Sequence, residues 1–455
     1  MFNKSLMTLA IAAVGVATSP AWAAVTAEEA KQLGTTLTLV GAEKAGNKEG
    51  TIPAFTGGLT KVPEGMMDGN KRKNPFGDEK PRLVITGKDV AAHADKLTEG
   101  TKELLKRHPT MRVDVYPTHR TVGHPKFFLD NTVKNATATK AIDGGLGFEN
   151  ALPGVPFPIP KTGNEAMWNH LLGYLGLGIE GKYDSYNVDS AGVATLATTG
   201  NVWYAWPLFD PKSSGNMINP SDPYWFVKLQ YTAPARRAGE ALLVHDFANP
   251  LQNPRRAWQY LPGQRRVKAA PDVAYDTPNP GSAGNSTYDD ASIFNGAMDR
   301  YDFKLVGKKE MIVPYSGYQV SQGVPPLEFM KPNHVDPNVM RWELHRVWVV
   351  EATLKPGKRH IYSKRVFYLD EDSWLALASD QYDGSGKLYR AGFAPIWYAW
   401  DAGAPFTAGT FTYDFAVGSY SANGMFGGHS GVKFMKQLPP PTFFTPDALA
   451  STGVR

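Results

Sequence analysis

Apolar positions recur with a helical period in the first part of the chain and alternate with polar ones in the rest. Thr26-Ala27-Glu28-Glu29 is a capping box that opens a helix running through Lys31 and Leu33. Val90, Ala94, Leu97, Leu104 and Leu105 lie mostly on one face of a helix expected over 89–107, which Pro109 stops. Residues 112–116 alternate as a strand. A further helix is expected over 163–175, with Met167, Leu171 and Tyr174 at suitable spacing. Between these, 46–81 is rich in Gly, Pro, Lys and Asn and reads as an extended arm without a core of its own. The prolines of 152–160 forbid both helix and central strand there.

From about Tyr183 onward strand patterns dominate. Residues 224–232 and 240–246 are two of them. Residues 258–261 and 264–268 form a hairpin around Pro262-Gly263, which supplies the fixed and the positive φ of a tight turn. A longer hairpin pairs 342–354 with 359–369 across Lys355-Pro356-Gly357-Lys358. The polar turn Asp370-Glu371-Asp372 then leads into a strand over 374–381. Consecutive strands joined by short turns imply an antiparallel meander. No βαβ rhythm and no repeat of fixed period is present. The expected fold is α+β, a curved, incomplete antiparallel sheet with helices packed on it and long Pro/Gly-rich insertions. The expected division is a signal over 1–23, a helix and arm over 24–80, and one large β-rich domain over 81–455.

The first 23 residues read as a cleavable secretory signal. Lys4 gives a positive start, 5–18 is uncharged and apolar, and Ser19-Pro20-Ala21-Trp22-Ala23 has small residues at the cleavage positions. The apolar run is well short of the roughly 20 residues of a spanning helix. With no cysteine, lipid anchoring on cysteine, disulfides and thiolate metal sites are all excluded. The expected location is the periplasm. A net charge of +5 over 455 residues argues against a nucleic-acid binder, and 11 Trp, 20 Tyr and 22 Phe argue against disorder.

Motifs that carry chemistry lack their context. Gly176-Leu177-Gly178-Ile179-Glu180-Gly181 matches a dinucleotide fingerprint, but a helix precedes it and strand-like alternation follows, so a helix cap and turn is the better reading. His119 and His124 have no cysteine pair. His345 and His360 fall on partner strands of the long hairpin and could be neighbours, although ordinary hydrogen-bonded positions are the default. Gly428-His429-Ser430-Gly431 lacks the fifth-position Gly of a nucleophile elbow. Asp370-Glu371-Asp372 and Asp289-Asp290 lack the Gly and closing Glu of a calcium loop and read as exposed turns. Paired carboxylates for glycoside cleavage stay open, because their spacing is spatial. Basic groups at 236–237, 255–256, 265–268 and 304–309 could form one positive face for anionic headgroups, or solvated local pairs.

The aromatic residues are the more informative signal. Trp342, Leu344, Trp348 and Val350 share one side of their strand, as do Trp258 and Tyr260 on theirs. Phe367 and Leu369 share a side, and Trp374 follows the turn. These nine residues are the candidate lining of a hydrophobic cavity, or else ordinary core. An open curved sheet leaves an apolar concavity suited to acyl chains or sterol-like molecules.

Several segments together resemble a known family. They are 156–163 (Pro-Phe-Pro-Ile-Pro-Lys-Thr-Gly), 165–171, 255–266 (Arg-Arg-Ala-Trp-Gln-Tyr-Leu-Pro-Gly-Gln-Arg-Arg), 274–278, 341–349 and 368–374. In them the chain resembles the proteobacterial family catalogued as domain of unknown function 1329, from about residue 80 to the C-terminus. The resemblance implies a fold similar to the lipoprotein-sorting proteins LolA and LolB, a periplasmic setting, and frequent encoding near large inner-membrane export pumps of the RND type. It carries over no catalytic residue and no cofactor. LolB-like proteins are anchored through cysteine, which this chain lacks.

Three functions follow as expectations. The first is a periplasmic carrier for a hydrophobic molecule (lipid, lipoprotein acyl chain or sterol-like) that works with an RND-type pump or an outer-membrane partner. The second is a non-enzymatic envelope scaffold. The third is a lipid or glycan hydrolase.

Overall fold

The structure, a computed structural model, describes residues 25–407 and 409–452. The signal expected over 1–23 lies outside the described residues. Sixteen strands form one sheet. In chain order they are β1 (Leu83–Thr86), β2 (Arg112–Tyr116), β3 (Gly178–Val188), β4 (Ala194–Ala205), β5 (Pro223–Ala233), β6 (Ala241–Phe247), β7 (Arg256–Leu261) and β8 (Arg266–Ala269). Then follow β9 (Tyr301–Pro314), β10 (Trp342–Leu354), β11 (Lys364–Asp370), β12 (Ala376–Tyr382), β13 (Leu388–Phe393), β14 (Thr410–Asp414), β15 (Ser419–Met425) and β16 (Val432–Phe434). The spatial order is β8-β7-β6-β5-β4-β3-β15-β14-β13-β12-β11-β10-β2-β1, with β9 also on β10 and β16 also on β3. Pairings are antiparallel except β2 on β10, which is parallel. The two ends of the path do not meet, so the sheet is open.

The sheet is also strongly curved. Tyr224 on β5 donates its hydroxyl to Asn295 (2.8 Å), and Arg365 on β11 donates to the carbonyl of Ile293 (3.2 Å). Six strands stand between β5 and β11. At about 4.8 Å per strand a flat sheet would separate them by about 34 Å. Two residues only two positions apart reach both, so the sheet must wrap around the segment 279–295. That segment also meets β3 and β15 through Asn285, whose side chain bonds Asn187 and accepts from Ser419 (3.1 Å). It is a plug in the concave face.

Helices and the N-terminal arm close the remaining surfaces. The capping box of Thr26 and Glu29 is formed, and the short helix α1 (Ala27–Ala30) follows it. The arm lies on the domain and buries Val40, Ala42 and Ile52 against it. Trp374 donates its indole N–H to the Val40 carbonyl (2.9 Å). The helix expected over 89–107 is two elements, a 3-10 stretch (Val90–Lys96) and α2 (Glu99–Arg107). The break has a cause: the Thr98 side chain caps Thr101 N–H, and Asp380 accepts from the N–H groups of Glu99 and Gly100. Helix α3 (Lys126–Ala138) was not anticipated. Helix α4 (Gly163–Leu171) is capped by Thr162.

Several expectations need correction. The acidic groups 370–372 and 289–290 are buried, not exposed turns. Asp372 pairs with Arg120 (2.6 Å), Glu371 with Lys308 (3.1 Å) and Arg346 (3.4 Å), and Asp289 and Asp290 with Arg365 (3.0 and 2.8 Å). The cations that meet these carboxylates come from distant parts of the chain, which local sequence cannot show. His345 and His360 are not neighbours: His345 stacks on Tyr315 and bonds Glu343, whereas His360 bonds Asp289. The loop between β10 and β11 runs from 355 to 363, because Lys364 is the residue that pairs with Thr353. The basic groups do not form one face. Arg255 pairs with Asp246 (2.6 Å) and Arg237 with Glu240 (3.1 Å), while Arg256, Arg265, Arg266 and Lys268 stay exposed at the β7–β8 end. The Gly176–Gly181 run leads into β3 and precedes no helix, as the turn reading expects.

Candidate functional site

A cavity of about 210 Å³ lies between the plug and strands β3–β5. Strand alternation places its walls. On β5, Trp225, Leu229 and Tyr231 stand at even spacings, four and two residues apart, so they project to one side, and all three line the cavity. Tyr183 and Ser185 do so from β3, and Thr198 and Tyr204 from β4. Trp206 closes the end of β4. The rings are packed edge-on: Tyr204 lies 5.2 Å from Trp225 and 6.2 Å from Trp206. Phe406 and Phe426 are 6.2 Å apart on the side of β14 and β15. The C-terminal end of α4 contributes His170 and Leu171, and the plug contributes Asp290, Phe294 and Asn295.

The two chargeable groups that could do acid–base chemistry here are both committed elsewhere. His170 accepts the Ala376 N–H at Nδ1 (3.1 Å), and its Nε2 lies 3.0 Å from the Phe294 carbonyl. The ring is therefore the Nε2–H tautomer. Burial pushes its pKa down to about 4, against the raising effect of the backbone bonds, so it is neutral. Asp290 is met by Arg365 Nη2 (2.8 Å), Tyr362 Oη (2.9 Å) and Gln381 Nε2 (2.9 Å). Burial raises the phenols of Tyr183, Tyr204 and Tyr224 above their ordinary range, and they stay protonated. The wall is thus rich in aromatic rings, interspersed with hydroxyls and amides such as Ser185, Thr198 and Asn423, and without free charge. Among the described residues no group of three or more His, Asp or Glu could hold a metal ion.

The nine aromatic and aliphatic candidates from the sequence are placed elsewhere. None of them lines this cavity. Trp258 and Tyr260 pack in a small second core with Leu243, Phe444 and Leu449, under the C-terminal segment. Trp342 packs on Phe393 (5.6 Å) beside a void of about 10 Å³, and Leu344 is buried on the same strand. Trp348 stacks on Trp374 (5.7 Å), and Leu369 pairs with Trp348 across the strands. Val350 pairs with Phe367, whose ring lies 5.5 Å from Phe294. The plug explains this last placement: Ile293 and Phe294 occupy the concavity over β11. The signal that would have found the cavity is the alternation of Trp225, Leu229 and Tyr231 in a segment already read as a strand. What sequence alone could not show is which half of the sheet the plug covers.

Comparison with known proteins places the chain in context. The model of the family described as protein of unknown function (DUF1329) matches residues 84–450. An uncharacterized protein of Pseudomonas aeruginosa, PA3922, is 40% identical over 458 aligned residues, covering 100% of this chain and 99% of that protein. Among solved structures, a DUF1329 family protein from Desulfovibrio piger is 16% identical with a TM-score of 0.41, covering 60% of this chain and 92% of that one. A LolA superfamily protein from Nitrosomonas europaea is 11% identical with a TM-score of 0.37, covering 64% and 100%.

Proposed function

This chain belongs to the DUF1329 family, and we propose that it is a non-enzymatic carrier that holds a hydrophobic molecule in the cavity between β3–β5 and the plug. The observation that carries this reading is the wall itself: aromatic rings from several strands around about 210 Å³ with no uncommitted charge. Such walls favour apolar surface at about 25 cal/mol per Å² removed from water, with a few hydroxyls and amides left to meet a polar head. His170 and Asp290, the residues a hydrolase would need there, are held by partners of their own. The export signal read at 1–23 supports work in the periplasm. Delivery to or from an RND-type pump or an outer-membrane protein would suit a carrier in that compartment.

One observation favours a second reading, an envelope scaffold. The plug fills much of the concave face with the chain's own side chains, among them Ile293 and Phe294. Native mass spectrometry of the purified protein, with calorimetric titration of 1-octanol beside it, separates the two. The carrier releases a co-purified apolar molecule and binds octanol saturably, and Leu229→Asp loses both while keeping its circular dichroism. A wild-type protein that holds nothing and binds no octanol is the scaffold.

A further inference from the structure

One wall of the cavity is the plug. Phe294 belongs to the plug, lines the cavity and is 1% exposed. Its ring lies 5.5 Å from Phe367 on β11 and 5.9 Å from Phe303 on β9. It therefore stands between the cavity and the apolar surface of the other half of the sheet. Its position is fixed from both sides. Its carbonyl meets His170 Nε2, the Ile293 carbonyl before it accepts from Arg365, and the Asn295 side chain after it joins Tyr224 and Asp246.

Size and charge then define the occupant. A cavity of about 150 Å³ takes a benzene-sized guest. By that scale 210 Å³ takes one ring with a short substituent, or a single chain of about eight carbons. The tails of a multiply acylated lipid would remain outside. No free cation lines the wall among the described residues, so nothing there would balance a carboxylate or phosphate.

Resting on the carrier reading, we infer that the site takes a compact uncharged amphiphile, a single ring or one short chain with a neutral head, and that Phe294 is the stop that sets its length.

The test uses the full-length mature protein and a series of n-alkanols from hexanol to tetradecanol, each titrated directly by calorimetry. In the wild type affinity should rise about fourfold per added CH₂, the ratio that about 0.8 kcal/mol corresponds to, and level off near eight carbons. Phe294→Ala should move that plateau out by roughly three carbons, since the walls collapse only partly into the space. Phe294→Leu, the variant kept in case the first does not fold, should move it by about one. Trp258→Ala, far from the cavity, should leave it in place. Nonanoate at pH 8 should bind at least tenfold more weakly than nonanol. Alkanols that bind with the same plateau in all proteins overturn the role of Phe294, and nonanoate binding as tightly as nonanol overturns the uncharged class. If no alkanol of any length binds the wild type, the carrier reading itself falls.

Discussion

Arg365 Nη2 lies 2.8 Å from Asp290 Oδ1 at a place where neither side chain meets solvent to any extent. Arg365 belongs to the sheet and Asp290 to the plug. A second carboxylate, Asp289, sits 3.0 Å from Nη1 of the same guanidinium. Burial pushes the Asp289 carboxyl up, but Arg365 and His360 outweigh it and hold the group below the ordinary carboxylate range. The plug is fastened to β11 by this fork.

Removing the guanidinium should therefore loosen the plug. Arg365→Ala leaves two buried carboxylates without their counter-charge, and we expect a loss of about 3–5 kcal/mol in urea denaturation. A loss below about 1 kcal/mol would show that the plug is held by its packing alone.

His170 predicts a specific pH dependence. Its pKa is 6.5 in an unfolded chain and about 4 in the fold. Between those values the unfolded chain binds more protons, so the stability contributed by neutral His170 is present above pH 6.5 and is lost as pH falls toward 4. Asp380 works in the opposite sense. Burial raises its pKa to about 6, so its contribution is present at low pH and is lost as pH rises through 6. Comparing the wild type with His170→Asn cancels the Asp380 effect. The variant should be the less stable protein at pH 7.5, and the gap should narrow by about 3 kcal/mol by pH 4. A gap that stays constant in denaturation curves across that range would mean that His170 is not buried neutral.

Trp348 separates core from site. Its ring stacks on Trp374 with the Lys308 ammonium 5.0 Å from it, away from the cavity. Trp348→Ala should cost about 1–3 kcal/mol of stability, less than a fully buried Trp, and leave affinity for apolar probes within twofold. A large loss of probe binding in a folded variant would return Trp348 to the ligand site.

Gly163 allows α4 to approach the sheet. A Cβ there would stand 2.5 Å from the backbone carbon of Phe303 and 2.6 Å from its oxygen. Backbone cannot yield as a side-chain tip can. Gly163→Ala should destabilise by about 1–3 kcal/mol. It should also weaken probe binding, because α4 carries His170 and Leu171 into the wall. Thermal melting and octanol titration of the same preparation read both effects.

Local patterns carried much of the architecture. The capping box at Thr26, the strand at 112–116, the hairpin around Pro262-Gly263 and the long pair 342–354 with its partner all stand close to where the local pattern puts them, although the positive φ of the 262–265 turn falls on Arg265 and not on Gly263. Each is specified by neighbours in the chain. What could not be read were relationships across it. Asp289 and Asp290 look like a solvated turn until Arg365, 75 residues later, is brought against them. Phe367 looks like a cavity lining until Phe294 is laid against it. Two patterns of equal apolarity, one on β5 and one on β10, differ in role because Phe393, Trp374 and Phe367 fill the space beside β10 while the space beside β5 stays open.

The interleaving of β14 and β15 between β3 and β13 dictates when the molecule can be finished. Strand β3 ends at Val188, yet its partner is Tyr420, made 232 residues later. Until the ribosome has passed that point, the β3–β8 half and the β10–β13 half each carry a raw edge, with every unpaired N–H and C=O open to another chain. Closing so long a loop comes late and slowly. Nascent or truncated chains ending before about residue 425 are two unfinished half-sheets, and the need to shield them is written into the strand order itself.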